Sequence, residues 1–291
     1  FLSTVIFADS HYKPLVPIDA WDGFFLLGPD YREQFNQVDI KLEKAVSAPI
    51  PDAGFCILRH HDLYIFINNS GAASYPDQTN QWGSHAHADL LSFELAFGET
   101  SFLVDPGTYV YTSSPKDREM FRGTKMHNTL MIDQMSQHVF PGDNLFRCIE
   151  IARPLDFQYI PGNKTEVFIG THDGYTRLKE PVIHKRIFTL DKESYTLNIH
   201  DILSGSGIHE FEWNFHFDTG VDFEISGNAA ITCQKSGINL KMEFYATFPF
   251  VMEKHPDVVS KAYGEKTNTT TLTIKANTSA PCELKSHLSF L

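Results

Sequence analysis

Gly83-Ser-His85-Ala-His87-Ala-Asp89 places two imidazoles and a carboxylate at every second position, directly after Trp82. Alternate side chains of an extended backbone point the same way. The spacing therefore predicts a strand with His85, His87 and Asp89 on one face and the two histidine Cα atoms about 6.6–6.8 Å apart. Ala86 and Ala88 would leave the opposite face free to pack closely. Three such groups are costly to bury without partners, so the pattern points to a chemical site; the plainer reading is a hydrogen-bonded polar cluster at a sheet edge.

Two later segments add to this set. Val104-Asp105-Pro-Gly-Thr-Tyr109 ends an apolar run on a carboxylate, where functional groups often leave a rigid scaffold, although Asp before Pro also starts ordinary turns. Met126-His127-Asn-Thr-Leu-Met-Ile-Asp133 places a third histidine at the head of another apolar strand. Taken together, His87, Asp105 and His127 offer two imidazole nitrogens and a carboxylate oxygen, a three-ligand zinc set with a fourth position for water. His85 would then remain for proton transfer. Between Asp105 and His127, aromatic and basic residues interleave (Tyr109, Tyr111, Lys116, Arg118, Arg122, Lys125). Arginine forks suit carboxylates and aromatic faces suit sugar rings, so Tyr109, Tyr111, Arg118 and Arg122 are expected to meet a carboxylate-bearing sugar. The plain alternative is a solvated helix of mixed charge, since Asp117 and Glu119 lie there too.

The elements that must hold these groups read as strands. With 24 Phe and 11 Tyr among 291 residues, and Thr-rich and β-branched runs throughout, the composition favours sheet over helix. Strands are expected at Asp62–Asn68, Leu90–Phe97, Ser101–Asp105, Thr165–Thr171, Val182–Leu190, Tyr195–Leu203, His209–Asp218, Val221–Ser226, Ala229–Gln234, Ile238–Thr247 and Thr269–Ala276. Even turn signals between them mark an antiparallel sandwich or barrel, not βαβ units; the fold expected is all-β, a large antiparallel β-sandwich of two stacked sheets. One short helix is expected, with Ser114 as N-cap and Pro115 at its first position, ending at Arg122.

The net charge of -12 excludes a nucleic-acid partner that depends on clustered cations, and means that an acidic ligand must be met by a local cluster. The four cysteines form no C-x-x-C pair and are expected to be free, buried thiols. No apolar run reaches the ~20 residues needed to span a bilayer. The N-terminus lacks the basic start and cleavage site of a signal peptide and reads as if cut from a longer chain. Residues 1–40 are expected to be a linker or the tail of a preceding helical domain, and 41–291 the sandwich.

Gly-Ser-His85-Ala-His87-Ala-Asp89-Leu-Leu-Ser-Phe, then Leu-Val-Asp105-Pro-Gly-Thr-Tyr, then Phe-Arg122-Gly-Thr-Lys-Met-His127-Asn-Thr-Leu resembles the signature of the heparinase II/III-type polysaccharide lyases. Pro181-Val-Ile-His184-Lys-Arg186 and the Glu210–His216 run are similar to that family's C-terminal half. The likeness is dense over about residues 80–135 and looser to about 220, and covers only the β-sandwich domain. It implies a lyase that opens uronic-acid polysaccharides such as heparan sulfate or alginate by β-elimination, in the periplasm or outside the cell. His85 matches the family's catalytic histidine, and His87, Asp105 and His127 match the ligands of a structural zinc ion. The family's catalytic tyrosine, and the Asn or His that neutralises the substrate carboxylate, reside on an N-terminal (α/α) toroid domain that these residues do not supply. That toroid is the expected partner, and alone the sandwich should be close to inactive. His184 and His216 are read as structural. Two alternatives stay open: a non-catalytic carbohydrate-binding or structural sandwich, and a metal-dependent hydrolase with His85 as a fourth ligand.

Overall fold

The computed structural model describes residues 21–38, 46–71, 83–142, 144–149 and 152–290. Trp82 and residues 1–20, 39 and 40 of the expected linker lie outside the described residues. Two units emerge, Phe1–Val46 and Ser47–Leu291. The first contains two short helices, α1 (Trp21–Leu27) and α2 (Tyr31–Gln37). Gly28 between them takes a φ of 85°, and Tyr31 and Phe35 are the buried side chains of α2.

The second unit is built from antiparallel strands. β1 (Ala48–Ile50), β2 (Phe55–His60), β3 (Leu63–Asn68), β4 (Phe93–Phe97) and β5 (Thr100–Leu103) form a five-stranded meander. After helix α3 (Pro115–Arg122) come β6 (Leu130–Ile132), β7 (Pro154–Ile160), β8 (Thr165–Tyr175), β9 (Val182–Asp191), β10 (Thr196–Gly205) and β11 (Ile208–His216). The chain ends with β12 (Asp222–Ser226), β13 (Ala230–Lys235), β14 (Ile238–Ala246), β15 (Val251–Val259), β16 (Thr267–Ser279) and β17 (Cys282–Phe290). An eight-stranded sheet runs β12-β13-β14-β17-β10-β9-β8-β7, and a four-stranded sheet runs β15-β16-β11-β6.

The expected sandwich is present, with one refinement: the layer facing the eight-stranded sheet is itself two sheets. They meet where Leu103 bridges Phe217 and Val104 N donates to His216 O at 3.0 Å. One apolar core joins all three sheets. Phe93 meets Phe188 at 5.5 Å and Phe215 meets Phe244 at 5.6 Å between ring centroids. Residues of period two supply it: Phe211, Trp213 and Phe215 of β11 all join the core.

Helix α3 forms as its capping residues require, with the Ser114 hydroxyl accepting from Asp117 N. The expectation of a strand through His85, His87 and Asp89 is not met. Residues 83–92 contain no strand, and β4 begins only at Phe93. Positive φ values at Gly83 and Leu91 (44° and 60°) break the extended backbone on both sides. Strands β1, β2, β7, β15 and β17 were not among those expected. All four cysteines are free, and Cys56, Cys148 and Cys233 are buried.

Candidate functional site

A loop with no ladder must satisfy its backbone polar groups by other means, and here side chains do so. Arg122, 1% exposed, donates from Nε to Ala86 O, from one terminal nitrogen to Leu145 O and from the other to Gly83 O. Arg118 donates to Ser84 O at 3.0 Å. The Thr124 hydroxyl donates to Ala88 O, and Gln137 bridges Leu90 through both its N–H and C=O sides. Beneath the loop, Ala86 packs with Phe140 on Cys148, and the Arg122 guanidinium stands 4.2 Å from the Phe140 centroid. The small alanines thus allow close packing, as the spacing suggested, but in a clamped loop.

This loop presents His85 and His87 to a cleft of about 340 Å³, which Asp89, Glu94, Asp105, Phe55 and Phe66 also line. His85 is exposed and stands edge-on to Tyr111 at 5.7 Å and to Phe146 at 6.3 Å. Tyr111 also packs against Tyr263 at 5.7 Å. Arg118 lies 4.9 Å from the Tyr111 centroid and 5.5 Å from that of Phe146, a cation–π support that fixes both rings.

Burial, with the neighbouring His127 adding to it, pushes the His87 imidazole down to about 3, so it is neutral at physiological pH. Asp105 Oδ1 caps the turn by accepting from Gly107 N at 2.8 Å, while Oδ2 accepts from His127 Nδ1 at 2.7 Å. Gly107 takes a φ of 84°, and a Cβ there would meet Ser260 O at 2.2 Å, so the turn that aims Asp105 admits only glycine. Although enclosure raises the Asp105 carboxyl, attraction to His127 and its hydrogen bond prevail and hold it at about 2. Correspondingly, burial lowers His127, yet the Asp105 charge outweighs it and the net shift is upward.

His87, Asp105 and His127 bring one potential ligand atom each to within 4.8 Å of one another. Among the described residues this is the cluster of metal-ligating type, and His85 is not a member. His127 is fully buried, and its Nε2 has no hydrogen-bond partner. An orphaned imidazole nitrogen, a neutral second imidazole and an ionised carboxylate are the donor set that zinc takes, so the residues present fit that ion.

The remaining expected residues divide. Tyr111 is exposed beside His85. Tyr109 is half-buried, with its ring against Phe121 (5.6 Å) and Lys266 over it (4.4 Å), and does not line the cleft. Arg118 and Arg122 are brought to the site but underneath it, each 1% exposed. Among the described residues lining the cleft none is Lys or Arg, and two of the carboxyls there favour the neutral form. Burial raises Asp89 to about 6, and burial with the nearby Asp105 charge raises Glu94 to about 7. Sequence reasoning did not anticipate Phe55, Phe66, Glu94, Phe146 or Tyr263. Glu94 alone carried a signal, a carboxylate within an apolar strand.

His184 is buried, as expected of a structural residue. Gly174 N donates to His172 Nδ1, so His172 Nε2 carries the proton toward His184 Nδ1 at 3.1 Å, and His184 Nε2 donates to Asp201 at 2.6 Å. Arg186 completes the network. It donates to both Asp201 oxygens and, from one terminal nitrogen, to Leu91 O and Asn128 O. It thereby ties β9 to the end of the clamped loop and to the residue after His127.

Comparison with solved structures places this architecture. Over 94% of its length the chain superposes on a heparinase III and on the heparan sulfate lyase HepC from Pedobacter heparinus, each with a TM-score of 0.71 and 17% identity. A further heparinase III superposes with a TM-score of 0.66 at 18% identity, over 82% of the chain. The chain spans 41% of the length of each of the first two and 36% of the third. No curated protein matches it in sequence. The model of the family described as heparinase II/III-like, C-terminal, matches residues 43–286, and the chain belongs to that family.

Proposed function

We propose that this domain forms one wall of the active site of a polysaccharide lyase that cleaves uronic-acid-containing polymers by β-elimination, outside the cytoplasm. The observation that carries the reading is His85: an exposed imidazole at a cleft, flanked by Tyr111 and Phe146 and set beside the metal-type cluster. In this reading His85 moves a proton at the substrate through a ring nitrogen, while the aromatic rings face the sugar. The loop clamps of Arg118 and Arg122 fix where that imidazole stands. His87, Asp105 and His127 hold zinc, which when bound supplies cross-linking energy to the loops carrying them. Neutralisation of the substrate carboxylate falls to groups outside this cleft, because its described lining carries no Lys or Arg. The toroid domain of the same protein is the natural source.

The test is a full-length protein incubated with heparan sulfate, alginate and other uronate polymers while the ultraviolet absorbance of an unsaturated uronate is followed. His85→Ala should lose about 10²–10⁴-fold in rate, the range of positioned acid–base groups. Wild type and His85→Ala equally silent on every polymer would remove the lyase reading and leave a carbohydrate-binding sandwich.

A further inference from the structure

On the outer face of the four-stranded sheet lies a second concavity, a groove of about 740 Å³ lined by none of the residues of the metal-type cluster. β11 alternates across the sheet: Phe211, Trp213 and Phe215 enter the core, while Glu212, Asn214 and His216 line the groove. The outward face of an antiparallel sheet is ordinarily solvated. Here Glu212 is 3% exposed and Asn214 1%. Two atoms among them, Glu212 Oε1 and Asn214 Nδ2, are buried without a hydrogen-bond partner. Such atoms are uncommon in folded proteins and call for an explanation.

Their neighbours are engaged elsewhere. Asn214 Oδ1 accepts from the Thr273 hydroxyl at 3.0 Å. Lys275 donates to Glu253 at 2.9 Å and stays 4.0 Å from Glu212, while Lys125 stays 3.9 Å away. Asp257 accepts from His216 at 2.6 Å. A carboxylate acceptor and an amide donor therefore stand two residues apart on one strand face of the groove lining, each without a hydrogen-bond partner, with Lys125 and Lys275 held only at ion-pair distance from Glu212.

We propose that this groove is a second ligand site that takes the hydroxyl edge of a neutral sugar residue. Glu212 Oε1 accepts from sugar hydroxyls, and Asn214 Nδ2 donates to a neighbouring hydroxyl or ring oxygen. Charge sets the selectivity. Glu119, Glu210, Glu212 and Asp257 line the groove against Lys125 and Lys275, so a uronate or sulfate group would add like charge near a buried carboxylate. Met120, Met126 and Met131, also in the lining, offer adaptable apolar surface to the C–H face of a ring. Such a site would hold a neutral stretch of a polymer near the enzyme, or anchor the sandwich to a neutral glycan, whether or not the lyase reading stands.

The methionines supply the readout. In the full-length protein labelled with ¹³C at its methionine methyl groups, methyl β-glucoside and methyl β-glucuronide are titrated to tens of millimolar. The glucoside should shift the Met120 and Met131 resonances saturably and leave the core Met242 in place, and the glucuronide should bind at least tenfold more weakly. Asn214→Ala and Glu212→Ala should each weaken glucoside binding tenfold or more while His85→Ala leaves it unchanged. The proposal is overturned by the absence of a saturable glucoside shift, by glucuronide binding as tight as glucoside, or by variants that retain the native Met242 signal and bind like wild type. If the variants unfold, the glucoside-against-glucuronide comparison on wild type decides it alone. Lyase activity is not read in this experiment, so its outcome is separate from that of the proposed reaction.

Discussion

At the residue scale, His87 offers an imidazole kept neutral by burial, and His127 a buried Nε2 without a well-formed hydrogen bond. A divalent ion would use both lone pairs, whereas His85 faces open cleft and two aromatic edges. Loss of a metal ligand should therefore act on stability and loss of His85 on rate. His87→Ala is expected to lower the melting temperature by about 4–8 °C, as a loss of about 2 kcal/mol would in a domain of this size. His85→Ala should shift it by no more than a degree or two. A chelator should depress the wild-type melting temperature but not that of His87→Ala; equal responses would undo the division of roles. The arginines yield a second expectation. Arg122 holds three backbone carbonyls of two loops from a buried position, and hydrogen bonds from a charged donor are among the stronger ones. Arg122→Ala should cost about 3 kcal/mol in denaturant unfolding, and Arg122→Lys should recover little because an ammonium cannot span the same carbonyls. If Arg122→Ala instead leaves stability intact and raises only KM for polymer, the guanidinium reaches substrate after all. The candidate ligands were nominated by residue type and spacing taken together, since Asp105 alone reads as a turn residue and does cap the turn at Gly107. The arginines could not. Sequence shows that a charge is present, but not whether a carbonyl of the same chain already occupies it.

At the element scale, most strands that follow a clean period of two were legible, and so was α3 with its Ser114 cap, whereas β2 and β17 alternate and were still missed. Two of the other strands that escaped share a cause. β7 and β15 form sheet edges, begin with or contain proline (Pro154, Pro256) and carry mixed charge, features that protect edges and erase the apolar alternation. The His85 loop failed in the opposite way. Its spacing looks extended, but Gly83 and Leu91 turn the backbone and arginines replace the ladder. What anchors that loop to the eight-stranded sheet is the pair Arg186 on β9 and Asp201 on β10, which are register partners. Burial raises the Asp201 carboxyl, but Arg186 and the His184 hydrogen bond outweigh it and hold it at about 2, below the 3.8 of a free group. A carboxyl depressed on folding contributes stability that is fully present above its unfolded value and is lost as pH falls through the folded one. Unfolding free energy should accordingly fall by on the order of 2 kcal/mol from this group between about pH 4 and pH 2. Asp201→Asn should be destabilised at neutral pH and show a shallower acid limb. An acid limb of unchanged slope in that variant would mean other carboxylates carry the transition.

At the scale of the whole molecule, the unit Ser47–Leu291 has its own continuous core drawn from three sheets, while its cleft lacks groups that the proposed lyase reaction needs. A β-elimination at a uronate needs a group to neutralise the carboxylate and a partner for His85 in the proton transfers. The cleft supplies carboxyls instead of cations: Asp89, Glu94 and Asp105 line it, and no described Lys or Arg does. An acidic sugar finds no cationic side chain among the described lining residues, so the side chains that bind its carboxylate must come from elsewhere. The chain also spans only 41% of the heparinase III structure it resembles, which leaves room for a second domain to carry them. Folding and activity should therefore separate. Residues 47–291 expressed alone should melt in one cooperative transition, since a core of this size needs no further domain. Under the proposed lyase reaction, the same fragment should release unsaturated product at least about 10³-fold more slowly than the full-length protein, the cost of losing charge stabilisation and a positioned proton-transfer group together. Calorimetry and the ultraviolet assay on the two lengths would check this. Comparable rates would show that the sandwich holds the whole site and that Asp89 or Glu94, raised by burial to about 6 and about 7, supplies the acid otherwise assigned to the toroid.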